Sequence, residues 1–154
     1  MLHYNYSEVM MRKFLILLCA LLYSLSAQGS NMDYDNMTIA KAYYTAIKEK
    51  NAADMGKYLA PDVHYVNPLA EMTSKEEALT AAKKLFPLTK TVTIHRIFSS
   101  ENQVVVIFDL EFLPPIGNLP IAALLTIHNK LITKLEMFFD PRPILAKKDE
   151  IFSQ

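Results

Sequence analysis

The apolar positions of this chain keep helical spacing up to Pro87, with one short interruption, and strand spacing after it. Thr38 stands as an N-cap, and Ile39, Ala42, Tyr43, Ala46 and Ile47 recur at three- and four-residue intervals. That spacing places them on one face of a helix, with Lys41, Lys48, Glu49 and Lys50 mostly on the other. A second short helix is predicted over Ala52 to Leu59, with Met55, Tyr58 and Leu59 inward and Pro61 ending it. Val63 to Asn67 reads as a strand closed by Pro68. After a loop, Ser74 and Glu77 form a capping box that opens a third helix through Leu79, Ala82, Leu85 and Phe86, and Pro87 stops it. Thr91 to Ser99, Gln103 to Phe112, Leu119 to His128 and Leu131 to Phe139 are then strands, with His128-Asn129-Lys130 as the tight turn between the last two. Three helices with one inserted strand, followed by a four-strand antiparallel meander, make an α+β domain with helices on one face of a sheet.

One strand carries more than fold. Val104, Val106, Phe108, Leu110 and Phe112 form one apolar face, while Val105 and Ile107 are apolar on the other. Helices on one side of a sheet need only one such face, so a second subunit is expected to cover the other, giving a homodimer through the sheet. The alternative cover is the tail, Ile144 to Phe152.

Composition bounds the picture. A chain of 154 residues is one domain, and 16 basic against 16 acidic residues gives no electrostatic case for nucleic acid. The 51% hydrophobic content is inflated by the first thirty residues. From Met11 the chain reads Arg12-Lys13, then Phe14 to Leu22 without a polar residue, then small residues at Ala27 and Gly29. That is the layout of a secretory signal peptide, too short for the roughly 20 apolar residues of a membrane span. Cleavage is expected after Ala27 or Gly29, with Gly29 preferred, leaving an exported protein, periplasmic or secreted, with no membrane attachment. The alternatives are an uncleaved anchor, or lipidation of Cys19, against which stands the bulky Leu18 before it. Residues 1–29 are thus read as an extension plus leader, 30–37 as a lead-in, 38–143 as the domain and 144–154 as a tail. With Arg12, Lys13 and Glu8 set aside, 14 basic residues face 15 acidic ones past Ser30. Cys19 is the only cysteine, so the mature chain can form neither a disulfide nor a thiolate metal site.

Ala60 to Pro68, Thr73 to Ala78, Ile132 to Glu136 and Phe138 to Pro143, in that order and spacing, resemble the SnoaL-like branch of the superfamily that includes nuclear transport factor 2 and ketosteroid isomerase. The resemblance implies a cone: a strongly curved mixed sheet wrapped around helices, with an apolar pocket at its open end. In isomerase-like members an Asp immediately before the Pro that ends the first strand acts as base; here that position is Asn67, which cannot take a proton. Counting back without gaps, the family's tyrosine donor falls on Tyr43. Its acidic partner would fall near Pro120 to Leu125, a stretch with no Asp or Glu.

Asn67 can still hydrogen-bond a ligand or cap the turn at Pro68, and Tyr65 shares its strand face while His64 and Val66 face away. Tyr43, Tyr65 and Asn67 are therefore the candidate ligand contacts, with Tyr43 equally readable as a core tyrosine. Asp109 and Glu111 are the candidate catalytic carboxylates, as in SnoaL-like cyclases whose base comes from the sheet; the alternative is pairing with Arg96 or Lys134 across strands. His64, His95 and His128 lack metal-site spacing, and the absence of a Gly-rich phosphate loop or a Gly-x-Ser-x-Gly elbow implies no metal and no cofactor. Asp140-Pro141-Arg142-Pro143 reads as a stiff turn, and Asn36-Met37-Thr38 fits a glycosylation acceptor. Three functions follow as expectations: an exported binder of a small apolar or amphipathic molecule; an isomerase, cyclase or dehydratase using a sheet carboxylate; or a dimeric interaction module with a vestigial pocket.

Overall fold

The computed structural model describes residue 33 and residues 35–152, so the expected leader lies outside the described residues. Helix α1 covers 35–48. Its buried residues include Ala40, Tyr43, Tyr44 and Ile47, an i, i+3, i+4, i+7 set, whereas Ile39 and Ala42 are only half-buried. The inward face is thus rotated from the one expected, and it takes in Tyr44. Asn51 caps α2 (Ala52–Gly56) by accepting from the Asp54 amide. That helix is shorter than predicted, because Leu59 already belongs to β1 (Leu59–Val66). Pro61 therefore lies inside a strand rather than ending a helix. The position tolerates it: β1 pairs with its outer neighbour only at Tyr65 and Val66, and its register on the other side shifts between Leu59 and His64.

The two-residue strand β2 (Glu71–Met72) falls where the sequence predicts a loop. Helix α3 (Lys75–Leu85) starts at the expected capping box, with the Ser74 side chain accepting from the Glu77 amide and Glu77 accepting from the Thr73 amide. A 3-10 turn, Phe86–Leu88, leads into β3 (Thr89–Ser100), β4 (Gln103–Phe112), β5 (Asn118–His128) and β6 (Leu131–Phe138). These four strands form the predicted antiparallel meander. The six-stranded sheet runs β2-β1-β6-β5-β4-β3, with β1 parallel to β6, so it is mixed, curved and not closed. Register breaks in β3 between Thr89 and Thr91 and between Ile94 and Arg96, and one between Thr126 and Ile127, supply places for that curvature.

The alternate residues Val104, Val106, Phe108, Leu110 and Phe112 of β4 are all buried with Tyr43 and Tyr44 in one core. On the outer side, Phe98 aligns with Val105, Leu124 and Glu136, and Arg96 with Ile107, Ala122 and Phe138. Phe98 and Phe138 there are 58% and 59% exposed. The tail is part of the body: a 3-10 turn, Leu145–Lys147, precedes α4 (Lys148–Phe152), and Ile144 and Ile151 are buried in the same core. Asp140 accepts from the Arg142 backbone and side chain, which fixes the predicted stiff turn.

Asn36 is buried and its Nδ2 donates to the Glu101 carbonyl at 2.9 Å, tying the start of α1 to the β3–β4 turn, where Glu101 has φ +55°. The glycosylation motif at Asn36 is therefore closed in the folded protein, since the nitrogen that would carry the glycan is spent inside. Replacing Asn36 by Ala leaves that carbonyl short of a donor and is expected to cost about 1–2 kcal/mol in urea unfolding. A loss below about 0.5 kcal/mol, the usual scale of an unremarkable surface change, would count against this anchor.

A tyrosine-walled cavity as the candidate functional site

The curved sheet and the helices it holds leave a cavity of ≈ 70 Å³. It is roughly half the size of the ~150 Å³ apolar cavity that accepts benzene, so in this state it admits a narrow chain or small group rather than a ring. Phe108, Leu110 and Phe112 from β4 form one wall, and Ile144, Ile151 and Phe152 from the tail another. Tyr43 and Tyr44 come from α1, Tyr65 from β1 and Asn67 from the turn after it. The sheet period explains the last pair: Tyr65 and Asn67 line the cavity while His64 and Val66 do not.

The polar atoms are few. The hydroxyls of Tyr43 and Tyr44 are buried without a hydrogen-bond partner among the described residues. The Tyr65 hydroxyl donates to the Met137 sulfur at 3.0 Å, a weak acceptor. Asn67 Oδ1 accepts from the amides of Leu69 at 2.8 Å and Ala70 at 3.0 Å. Asn67 thus caps the turn with its oxygen and also faces the cavity, with its Nδ2 protons left to donate. The Tyr43 and Tyr44 rings pack edge-to-face at 5.2 Å, and Tyr44 leans on Phe108 at 4.6 Å. Burial pushes the pKa of all three phenols up, and for Tyr43 and Tyr44 the neighbouring Tyr65 adds to the shift. The three hydroxyls therefore stay protonated at neutral pH and can act as donors.

Among the described residues, no Asp, Glu, His, Lys or Arg lines this cavity. Asp109 and Glu111, the carboxylates suggested as a sheet base, alternate with the cavity-lining residues of β4 and lie on its other face. Asp109 Oδ2 sits 3.1 Å from His95 Nε2, and hydrogen bonds from His95 and Asn118 hold its pKa below the usual carboxylate value. Glu111 accepts from Lys90 Nζ at 2.6 Å. Their partners are thus His95 and Lys90, not Arg96 or Lys134; Lys134 pairs with Glu136 at 3.0 Å instead. Neither carboxylate lines the cavity. Tyr44 also lines the cavity, and the Ala40-Tyr43-Tyr44-Ile47 spacing carries its signal, since it fits a helical face as well as Ile39-Ala42-Tyr43-Ala46 does.

A mixed curved sheet folded around helices, with an apolar hollow between them, is the architecture of the nuclear transport factor 2-like proteins. Residues 40–135 match the model of the SnoaL-like domain, more than half of the chain, and the protein belongs to that family. Solved structures agree on the fold. An NTF2-like protein of unknown function from Cytophaga hutchinsonii is similar with a TM-score of 0.64 and 21% identity, over 71% of this chain and 94% of that one. An LEH-like epoxide hydrolase from M. tuberculosis is similar with a TM-score of 0.64 and 14% identity, over 74% and 89%. A de novo designed protein with a curved β-sheet reaches 0.67 at 16% identity, over 76% and 94%. No protein of curated function matches the chain.

Unpartnered buried hydroxyls are costly, so Tyr43→Phe and Tyr44→Phe are each expected to stabilise the ligand-free protein, by about 1 kcal/mol in chemical unfolding. A loss of stability in both variants would show that the hydroxyls are satisfied. The raised phenol pKa values also fix a pH dependence. The unfolded phenols release protons near 10.0 while the buried ones keep theirs, so their contribution is intact below pH 10 and stability falls as pH rises beyond it. Thermal unfolding between pH 8 and about 11 checks this, and the fall should be shallower in Tyr43→Phe.

Proposed function

We propose that this chain is an exported SnoaL-like domain that binds a small apolar or amphipathic molecule in its cone, without catalysing a reaction on it. The observation that carries this reading is the pair of buried Tyr43 and Tyr44 hydroxyls that lack partners. Each such group costs about 1–3 kcal/mol unless something accepts its hydrogen, and a ligand oxygen would do so. Asn67 Nδ2 offers a further donor, the Tyr65 hydroxyl can exchange the weak Met137 sulfur for a ligand oxygen, and the remaining wall supplies apolar contact. Among the described residues that line the cavity there is no carboxylate, imidazole or amine, which favours binding over proton transfer. The leader composition, Arg12-Lys13 followed by Phe14 to Leu22, supports export.

The test is native mass spectrometry of the protein purified from its own host. Wild type is expected to carry an adduct that Tyr43→Phe/Tyr44→Phe retains poorly. Adduct-free spectra, together with no change in tyrosine emission on adding apolar ketones or alcohols, would overturn the proposal. The chain has no tryptophan, so emission reports the tyrosines directly.

A second copy of the chain is proposed to cover the outer sheet face. The tail lines the cavity, so it is on the wrong side to cover Phe98, Val105, Ile107, Leu124 and Phe138. An isologous pairing of these faces would bury both exposed phenylalanines at once. Light scattering on the mature protein is expected to give twice the chain mass, and Phe98→Asp/Phe138→Asp one chain mass with circular dichroism unchanged. A single-chain mass for wild type at micromolar concentration would refute the dimer.

A further inference from the structure

The walls of the cavity are not held alike. β4, β5 and β6 are joined by antiparallel ladders, and β1 is joined to β6 by a parallel one. The start of α1 is tied to the β3–β4 turn by Asn36, and the end of α3 to β3 by the Thr89 hydroxyl, which donates to the Leu85 carbonyl at 3.1 Å. The tail is held differently. The Ile144 amide donates to the Pro141 carbonyl at 3.1 Å, the Lys147 amide to the Ile144 carbonyl at 2.9 Å and Lys147 Nζ to Glu150 Oε2 at 2.7 Å. Among the described residues, its hydrogen bonds thus close within the segment or onto the turn just before it. What joins residues 144–152 to the rest of the domain is apolar contact, through the buried side chains of Ile144 and Ile151 and the half-buried Phe152.

Behind that wall lies open space. Ile151 and Phe152 line the cavity and also line a separate hollow of ≈ 310 Å³ between β2, α3 and α4, so the wall they form is a single layer of side chains with room on both sides. Thr80, exposed on α3, lines the outer hollow and not the cavity. A segment whose hydrogen bonds are local opens at lower cost than a laddered sheet, and here the displaced side chains have a hollow to enter. Resting on the reading that the cavity binds a ligand, we infer that residues 144–152 are its gate: the segment swings outward after the Asp140–Arg142 turn, and the outer hollow takes Ile151 and Phe152 while the ligand passes. The gate also sorts ligands by shape. At ≈ 70 Å³ the closed cavity has no room for a ring, so a narrow chain lets the wall close behind it, whereas a ring holds the wall out.

The experiment compares two methyl ketones of equal carbon count, 2-octanone and cyclohexyl methyl ketone, on the full mature protein as wild type, Thr80→Phe and Thr80→Ala. Calorimetry gives the affinities and stopped-flow tyrosine emission the rates. Thr80→Phe fills the outer hollow and leaves the cavity alone. It is expected to slow both entry and exit of 2-octanone about tenfold while the affinity stays within about twofold, the mark of a gate rather than of a contact. The affinity for cyclohexyl methyl ketone, whose complex keeps the wall displaced, should fall about tenfold in the same variant. Thr80→Ala should match wild type throughout, which separates added bulk from loss of the hydroxyl. Hydrogen exchange of the free protein supplies a readout without ligand: the amides of 144–152 should exchange more slowly in Thr80→Phe, with those of β4 to β6 unchanged. Unaltered ketone rates, or unaltered exchange of 144–152, in Thr80→Phe overturn the gate and leave the proposed binding function standing. Failure of both ketones to bind overturns the binding function, and the exchange of 144–152 then decides the gate alone.

Discussion

Everything that distinguishes this domain depends on how one strand divides its two faces. On β4 the inward residues are apolar from Val104 to Phe112, and the outward ones change character midway, from Val105 and Ile107 to Asp109 and Glu111. The inward row also divides: Val104 and Val106 belong to the packed core, whereas Phe108, Leu110 and Phe112 face the cavity. The two divisions coincide. Where the inside is packed solid, the outside offers an apolar face that water wets poorly; where the inside is hollow, the outside is held by the His95–Asp109 and Lys90–Glu111 pairs. Because strand period is two, a one-residue slip of β4 would exchange these faces and bury two carboxylates in the cavity wall. The register of a single strand therefore keeps the cavity neutral and places the outer apolar patch beside its solid end.

Neutrality is the second constraint, and Asn67 shows how it is kept. The turn after β1 needs an acceptor for the amides of Leu69 and Ala70, and an Asp or an Asn could supply one. An Asp would bring a charge, or a proton to be moved, into a space otherwise lined by carbon and phenols. Asn supplies the acceptor without the charge, and its Nδ2 adds a donor. The tyrosines follow the same logic: burial suppresses their ionisation, so each remains a donor across the neutral range. The polar groups that line the hollow, among the described residues, are thus donors that carry no charge.

The sequence made the meander, the capping box and the two faces of β4 readable because each depends on local period or local capping. It was less informative where tertiary pairing decides. Pro61 looked like a helix stop, yet β1 absorbs it because β2 reaches only Tyr65 and Val66 and leaves that stretch an open edge. Glu71–Met72 is too short to show a period, and it is a strand only because β1 lies beside it. The rotation of α1 that brings in Tyr44 was ambiguous for a different reason: Tyr43 and Tyr44 are adjacent, so two overlapping i, i+3, i+4 faces fit the same residues. Tyr43, Tyr65 and Asn67 were legible as neighbours through strand period and family resemblance, whereas the absence of a partner for a hydroxyl is a fact of three dimensions. The tail was opaque for the same reason, since Ile144, Ile151 and Phe152 gain meaning only from the wall they complete.

A designed protein shares the curved-sheet architecture, and so does an epoxide hydrolase, so the fold alone selects no activity. The particular chain must be read from what it adds to the fold. It adds two hydroxyls that stability alone would delete, since phenylalanine at either position would fill the same space without an orphaned donor. It adds a closing segment whose Ile144, Ile151 and Phe152 side chains complete the apolar wall of the cavity. A core built only for stability would not carry the unmet donors. Together they describe an apolar hollow with two buried donors that ask for a hydrogen-bond acceptor.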